Sequence, residues 1–199
     1  MRIISGSLGG RRINPPSKMP YTRPTTDIAK EGLFNILQTR IDFEDAKTLD
    51  LFGGTGSISY ELASRGASSL TIVEKDPVMH AFIKKNIAEL KIENVNIMRV
   101  DVFNFLSSCN EQYDFIFAGP PYAMSTIDEL PKIIVEKKLI AENGFLCWNI
   151  PRAMTMKNIK GFHLKEITEQ QCLASLPPSL KGRNIIHNVE YNFYNRHWN

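Results

Sequence analysis

The run Asp50-Leu51-Phe52-Gly53-Gly54-Thr55-Gly56 stands between a β-prone stretch and a helical one. Glycines at such a turn let backbone N–H groups approach a ligand at the helix N-terminus, and ligands of open α/β sheets sit outside the carboxyl ends of the strands. The dinucleotide fingerprint requires a third glycine that Gly54-Thr55-Gly56-Ser57-Ile58-Ser59 lacks, which removes the nicotinamide reading. Glu74 closes the second β-prone run, where a carboxylate can accept both hydroxyl hydrogens of a ribose. Asp101 closes the third, placed to meet an adenine edge. Each acid alone reads as a loop residue or a cap. Three acids ending three successive strands beside a glycine loop read as contacts to an adenosyl group and an amino-acid group. A fourth run ends in Ala118-Gly119-Pro120-Pro121-Tyr122. Proline fixes φ and so holds its carbonyl still, and an aromatic ring beside it can stack on a flat substrate. In isolation these residues are a turn; after the cofactor loop they are a candidate substrate loop.

Residues of this kind must be held by a sheet. From Lys47 to Ile150 short β-rich runs alternate with longer helical patterns, as in βαβ units around a parallel sheet. The expected strands are Thr48 to Phe52, Ser69 to Glu74, Val95 to Val100 and Tyr113 to Ala118. Ser57 to Arg65 reads as a helix closed by Gly66, and Asp76-Pro77 opens another to Leu90. Upstream, Thr25, Thr26 and Asp27 supply capping types before Ala29, Leu33, Ile36 and Leu37, which share one helical face. Arg2 to Pro16, with a Gly9-Gly10 turn signal, reads as a hairpin-like arm. The expected architecture is a doubly wound, mostly parallel α/β sheet with a small N-terminal β-hairpin arm. Residues 1–24 form the arm and 25–199 the main domain.

The 199 residues, 43% of them hydrophobic, are enough for one core and too few for a second full domain. Basic and acidic residues nearly balance at 24 to 21, but residues 1–26 hold Arg2, Arg11, Arg12, Lys18 and Arg23 with no acid. A basic arm is thus joined to a mildly acidic body. Cys109, Cys147 and Cys172 are odd in number and show no ligand spacing, which argues against a disulfide framework or a structural metal and fits a reducing compartment. No signal-peptide pattern or membrane-length apolar run is evident, so a soluble cytoplasmic protein is expected. His80, His163, His187 and His197 have no partner in sequence reach and receive no role.

Pro120-Pro121-Tyr122 resembles the amino-methyltransferase motif Asp/Asn-Pro-Pro-aromatic with its first residue replaced by Gly119. The wider run from Met1 to about Met124 resembles the bacterial 16S rRNA guanine-N2 methyltransferases of the RsmD type. The matching stretches are Met1 to Gly6, Thr22 to Asp27, Asp50 to Gly56, Ser64 to Ala67, Val73 to Asp76 and Pro120 to Tyr122. The resemblance implies a Rossmann-like class I methyltransferase domain using S-adenosylmethionine and no metal. It implies cofactor contacts from Arg23, Thr25, Thr26, Asp50, Phe52, Gly53, Gly54, Gly56, Glu74, Lys75, Asp101 and Val102. Arg2, Arg11 and Arg12 would meet RNA phosphates, and the partner would be small-subunit rRNA or a ribosome assembly intermediate; the residues do not fix the oligomeric state, for which a monomer is favoured. In the family the motif acid and the first proline carbonyl accept the two hydrogens of an exocyclic amine, turning its lone pair towards the sulfonium methyl. The ring at Tyr122 would stack on the displaced base. An adenine-N6 DNA methyltransferase is the alternative enzyme, disfavoured by the lack of room for a target-recognition domain. A catalytically impaired RNA-binding or ribosome-assembly module is the alternative that Gly119 favours.

The sequence departs from the family pattern in two places. Gly119 removes the side-chain acceptor, a loss that in such sites costs on the order of 10² to 10³ in rate. From about Cys147 the C-terminal quarter lacks the family's Glu-His after the fifth strand and its later Arg-x-Tyr-Gly. Read one nucleotide earlier, the final G of the Trp148 codon with the first two bases of Asn149 must spell Glu, and permitted codons continue His-Ser-Lys across Asn149 to Arg152. Leu164 to Ser175 can likewise give Lys-Arg-Asn-Tyr-Gly-Ala-Thr-Met-Phe-Ser-Phe. Residues from about 147 onward are therefore expected to be out of frame relative to the ancestral gene, with ordinary divergence as the alternative.

Overall fold

The computed structural model describes residues 1–17, 19, 25–121, 124, 126, 129–151, 163–167 and 189–195. Helix α1 spans Asp27–Leu37, and its N-cap Thr26 accepts the Ala29 N–H at 3.2 Å. Then come β1 (Lys47–Asp50), α2 (Ser57–Ser64), β2 (Ser69–Val73), α3 (Pro77–Leu90), β3 (Val95–Met98), α4 (Val102–Ser108), β4 (Tyr113–Ala118), α5 (Glu129–Glu136), β5 (Ile140–Pro151), β6 (His163–Ile167) and β7 (Val189–Asn195). They form one seven-stranded sheet in the order β3-β2-β1-β4-β5-β7-β6. Strands β1 to β5 pair in parallel, while β7 runs antiparallel to both β5 and β6.

Successive side chains of a strand face opposite sides, so the buried parallel strands feed two cores. On one side Leu70, Ile72, Phe115 and Phe117 pack with Leu33 and Phe34 of α1, Ile58 and Leu62 of α2, and Ile83 and Ile87 of α3. On the other, Leu49, Val73, Ile116 and Ala118 meet Phe105 and Leu106 of α4 and Leu130 and Ile134 of α5. Helices on both faces make the sheet doubly wound, as the alternating pattern predicts.

The arm folds back as a hairpin-like element with a single antiparallel bridge between Arg2 and Arg12. Ile3 and Ile13 enter the first core. The arm is also fixed by polar contacts. Lys30, 1% exposed, lies 3.2 Å from the fully buried Glu61 and also donates to the Arg2 carbonyl. Glu61 Oε1 accepts the Ile4 N–H at 2.6 Å, and Ser64 Oγ donates to the Ser5 carbonyl. A lysine on the buried face of α1 is the feature that the apolar periodicity of that helix did not announce.

Candidate functional site

Parallel pairing brings the carboxyl ends of β1, β2, β3 and β4 to one edge of the sheet, and Asp50, Glu74, Asp101 and Gly119 leave from that edge. The glycine loop follows β1. Gly53 N–H donates to the Val73 carbonyl at 2.9 Å, and Gly56 N–H returns to Gly53 at 2.7 Å. A Cβ on Gly53 would lie 2.7 Å from Ile72 Cγ2, and Gly54 and Gly56 adopt positive φ of 52° and 76°. The loop therefore tolerates no side chain at Gly53, and Gly56 is the left-handed N-cap of α2, where glycine is the unstrained choice.

Asp50 is 1% exposed. Its Oδ2 accepts the Ser59 hydroxyl at 2.6 Å and its Oδ1 the Phe52 N–H at 3.3 Å. Burial outweighs those hydrogen bonds and pushes its pKa up from 3.8 to about 6. Glu74 is half-buried; Oε2 accepts the Gly54 N–H at 2.7 Å and Oε1 the Asp76 N–H at 2.8 Å. Burial raises its pKa too, against the lowering effect of those two amides. Glu74 thus pins the glycine loop from the neighbouring strand, and each oxygen keeps a lone pair for a further donor. Asp101 caps α4 through the Phe103 N–H at 2.9 Å, while its other oxygen lies 3.6 Å from Lys75 Nζ. Val102 begins α4 and is buried.

Beyond β4, Gly119 is partly exposed, Pro120 buried and Pro121 exposed. The Pro121 carbonyl accepts the Met124 N–H at 3.0 Å, which turns the loop after the prolines. Thr25 and Thr26 stand at the start of α1, where Asp27 accepts the Arg2 N–H at 3.1 Å and so ties the arm to that helix. Arg2, Arg11 and Arg12 are exposed. Tyr122 and Arg23 lie outside the described residues.

Three polar side chains of α2 that the sequence reading passed over also reach this region. Ser59 holds Asp50, and Ser57 Oγ and Tyr60 Oη are buried with no partner among the described residues. Buried polar groups are normally paired, and no periodicity rule could have marked these. A shallow depression of about 520 Å³, lined by Gln38, Arg40, Asp42, Glu44 and Arg65 among others, lies instead at the loop preceding β1, away from the acids. Among the described residues no group of His, Cys, Asp or Glu could hold a metal, and no helix is long and apolar enough to cross a membrane.

A glycine loop closed by an acid from the next strand, on a parallel sheet completed by one antiparallel strand, is the cofactor half of a Rossmann-like S-adenosylmethionine-dependent methyltransferase. Residues 1–173 match the family model described as Conserved hypothetical protein 95. The chain is 36% identical over 174 residues to the ribosomal RNA small subunit methyltransferase D of Buchnera aphidicola, covering 85% of this chain and 90% of that protein. It is 32% identical over 146 residues to the protein of the same name in Escherichia coli, covering 73% and 72%. A solved structure from Escherichia coli, described as a methyltransferase, yhhF, superposes with a TM-score of 0.77 at 26% identity, covering 100% of this chain and 99% of that one. The chain belongs to the Conserved hypothetical protein 95 family, the family of these RsmD-type enzymes.

Proposed function

We propose that the chain transfers a methyl group from S-adenosylmethionine to the exocyclic N2 of a guanine in 16S rRNA. The observation that carries this reading is the Gly119-Pro120-Pro121 turn leaving β4 at the sheet edge from which Asp50, Glu74 and Asp101 also leave. The residues fit the cofactor. Glu74 and the Val73 carbonyl fix the glycine loop through the Gly54 and Gly53 N–H groups, and the buried hydroxyls of Ser57 and Tyr60 have no partner among the described residues. When bound, the cofactor supplies a methyl group on a positive sulfonium. Asp50, Glu74 and Asp101 would hold its ammonium, ribose and adenine by negative charge and acceptors, with Phe52, Lys75 and Val102 beside them, and Arg23, Thr25 and Thr26 would help close the site. The Pro120 carbonyl accepts one amine hydrogen, and Tyr122 stacks on the base.

Arg2, Arg11 and Arg12 would attract phosphates without reading sequence, which suits a structured RNA in a cytoplasmic assembly particle met by a monomeric enzyme. The names of the relatives support the rRNA substrate. Gly119 favours one second reading, an assembly module that binds cofactor and RNA but turns over slowly. Labelled S-adenosylmethionine incubated with small-subunit particles lacking the modification, with ribosomal RNA alone and with duplex DNA separates these readings. Methyl incorporation into guanine N2 of the particle is expected. Binding without incorporation would establish the module, and incorporation into DNA alone would overturn the rRNA assignment.

A further inference from the structure

Helix α2 begins without a side-chain cap, because its N-cap is Gly56. Its first-turn N–H groups and the positive end of its dipole face the cofactor loop, an arrangement that favours an anion. Two hydroxyls accompany them. Ser57 is 6% exposed and Tyr60 1% exposed, and neither hydroxyl finds a partner among the described residues. They stand three positions apart, so they share a helical face. Helical side chains lean towards the N-terminus, and the Tyr60 ring does so until it lies over Gly56. A Cβ at that glycine would come within 2.4 Å of Tyr60 Cζ and 2.6 Å of its oxygen. The glycine is therefore the space the phenol occupies. Burying a hydroxyl unpaired is costly, and a phenylalanine would bury the same ring without that cost.

The remaining hydroxyl of this turn, Ser59, is taken by Asp50, which leaves Ser57 and Tyr60 as donors for something from outside. Burial first, and the neighbouring Asp50 charge second, hold the Tyr60 phenol above its ordinary pKa, so it keeps its proton and remains a donor. Two hydroxyl donors beside the positive end of a helix dipole suit a carboxylate better than an ammonium, whereas the Asp50 carboxyl suits the ammonium. A zwitterionic amino-acid group would thus be oriented by two sites of opposite preference.

We propose that the Tyr60 hydroxyl, assisted by Ser57, donates a hydrogen bond to the α-carboxylate of the methionine end of the cofactor. This rests on the S-adenosylmethionine reading above and assigns a contact to two residues that no motif marks. The test compares two probes that differ only at that carboxylate, S-adenosylmethionine and decarboxylated S-adenosylmethionine, by calorimetry on the full chain. Tyr60→Phe should weaken the first by about tenfold or more and the second by less than twofold. Ser57→Ala, as a second variant, should show the same preference with a smaller loss. The melting temperature of the ligand-free Tyr60→Phe protein should equal or exceed that of the parent, since an unpaired buried hydroxyl has gone. Equal losses for both probes, no loss for either, or a lowered ligand-free melting temperature would overturn the proposal. Failure of the parent to bind either probe would instead overturn the cofactor reading itself.

Discussion

Replacing Gly119 by aspartate tests whether the catalytic loop is intact apart from one atom group. An ideal Cβ at Gly119 lies 3.1 Å from Phe117 Cε1 and 3.5 Å from its Cζ, and no left-handed φ stands in the way. The first contact is tighter than usual, so the Phe117 ring must give by a few tenths of an ångström; the stability cost should stay within about 1 kcal/mol. The gain is a second acceptor for the amine hydrogens, beside the Pro120 carbonyl. One positioned group of this kind is worth on the order of 10² to 10³ in rate, or about 2.7 to 4 kcal/mol of barrier. Single-turnover transfer of labelled methyl to undermodified small-subunit particles should therefore accelerate by about two to three orders of magnitude in Gly119→Asp, with cofactor affinity unchanged within about twofold. If Gly119→Asp binds cofactor normally and gains less than about tenfold, the loop does not activate an amine in the way argued.

Asp50 makes the cofactor site pH-dependent. Its folded pKa is raised above its unfolded value, so the folded state holds the extra proton; the associated stability is fully present below pH 3.8 and is lost as pH rises through about 6, on the order of 3 kcal/mol in all. Cationic cofactor should favour ionised Asp50, so affinity measured by calorimetry should rise between pH 5 and about 7 with proton release; a flat profile, or no flattening in Asp50→Asn, would refute the charge assignment. Lys30→Met should leave Glu61 short of its partner, lowering stability by about 3 kcal/mol and the melting temperature by about 10 °C, and limited proteolysis should then cut the arm that Lys30 holds through Arg2. Arg11→Gln with Arg12→Gln should weaken RNA binding across sequences and reduce the magnitude of the salt slope by about 1.5; an unchanged slope would remove the arm from the RNA interface.

The sheet was legible wherever local signals agree. Tyr113–Ala118 and Pro77–Leu90 fall at the expected bounds, because an apolar run and an Asp76-Pro77 cap define them within a few residues. The first three strands end earlier than their β-prone runs, at Asp50, Val73 and Met98. Pairing with neighbours, not propensity, ends a strand, and the leftover residues Leu51, Phe52 and Glu74 become the loops that carry the site. Ile36 was placed on the buried face of α1 yet is only partly buried, while Lys30 and Phe34 are fully so. Besides its i,i+3 neighbour Asp27 at 3.6 Å, that lysine is held by Glu61 from a helix distant in sequence and by the Arg2 carbonyl, and no local rule sees these last two partners. The same holds for Ser59 beneath Asp50 and for the antiparallel placement of β7 beside β5.

The C-terminal quarter poses a different question, because main-chain pairing reads so little of the side chains. Strand β5 continues through Cys147 and Trp148 opposite Phe117 and Ala118, and β7 pairs with it as far as Pro151. Ladder hydrogen bonds form between backbones, so that pairing does not discriminate between one reading frame and the next. Side-chain satisfaction does. Trp148 is wholly buried, and neither its indole N–H nor the buried side-chain oxygen of Asn149 beside it has a partner among the described residues. These orphans fall where the codon argument places the junction, and each leaves an uncompensated desolvation of about 1 to 3 kcal/mol. The out-of-frame reading predicts that the gene's codons for Trp148 to Arg152, shifted back by one nucleotide, spell Glu-His-Ser-Lys. It further predicts that the restored chain melts at a higher temperature than this one. Codons that spell anything else would make the tail an ordinary divergence, and Trp148 a residue whose burial needs another explanation.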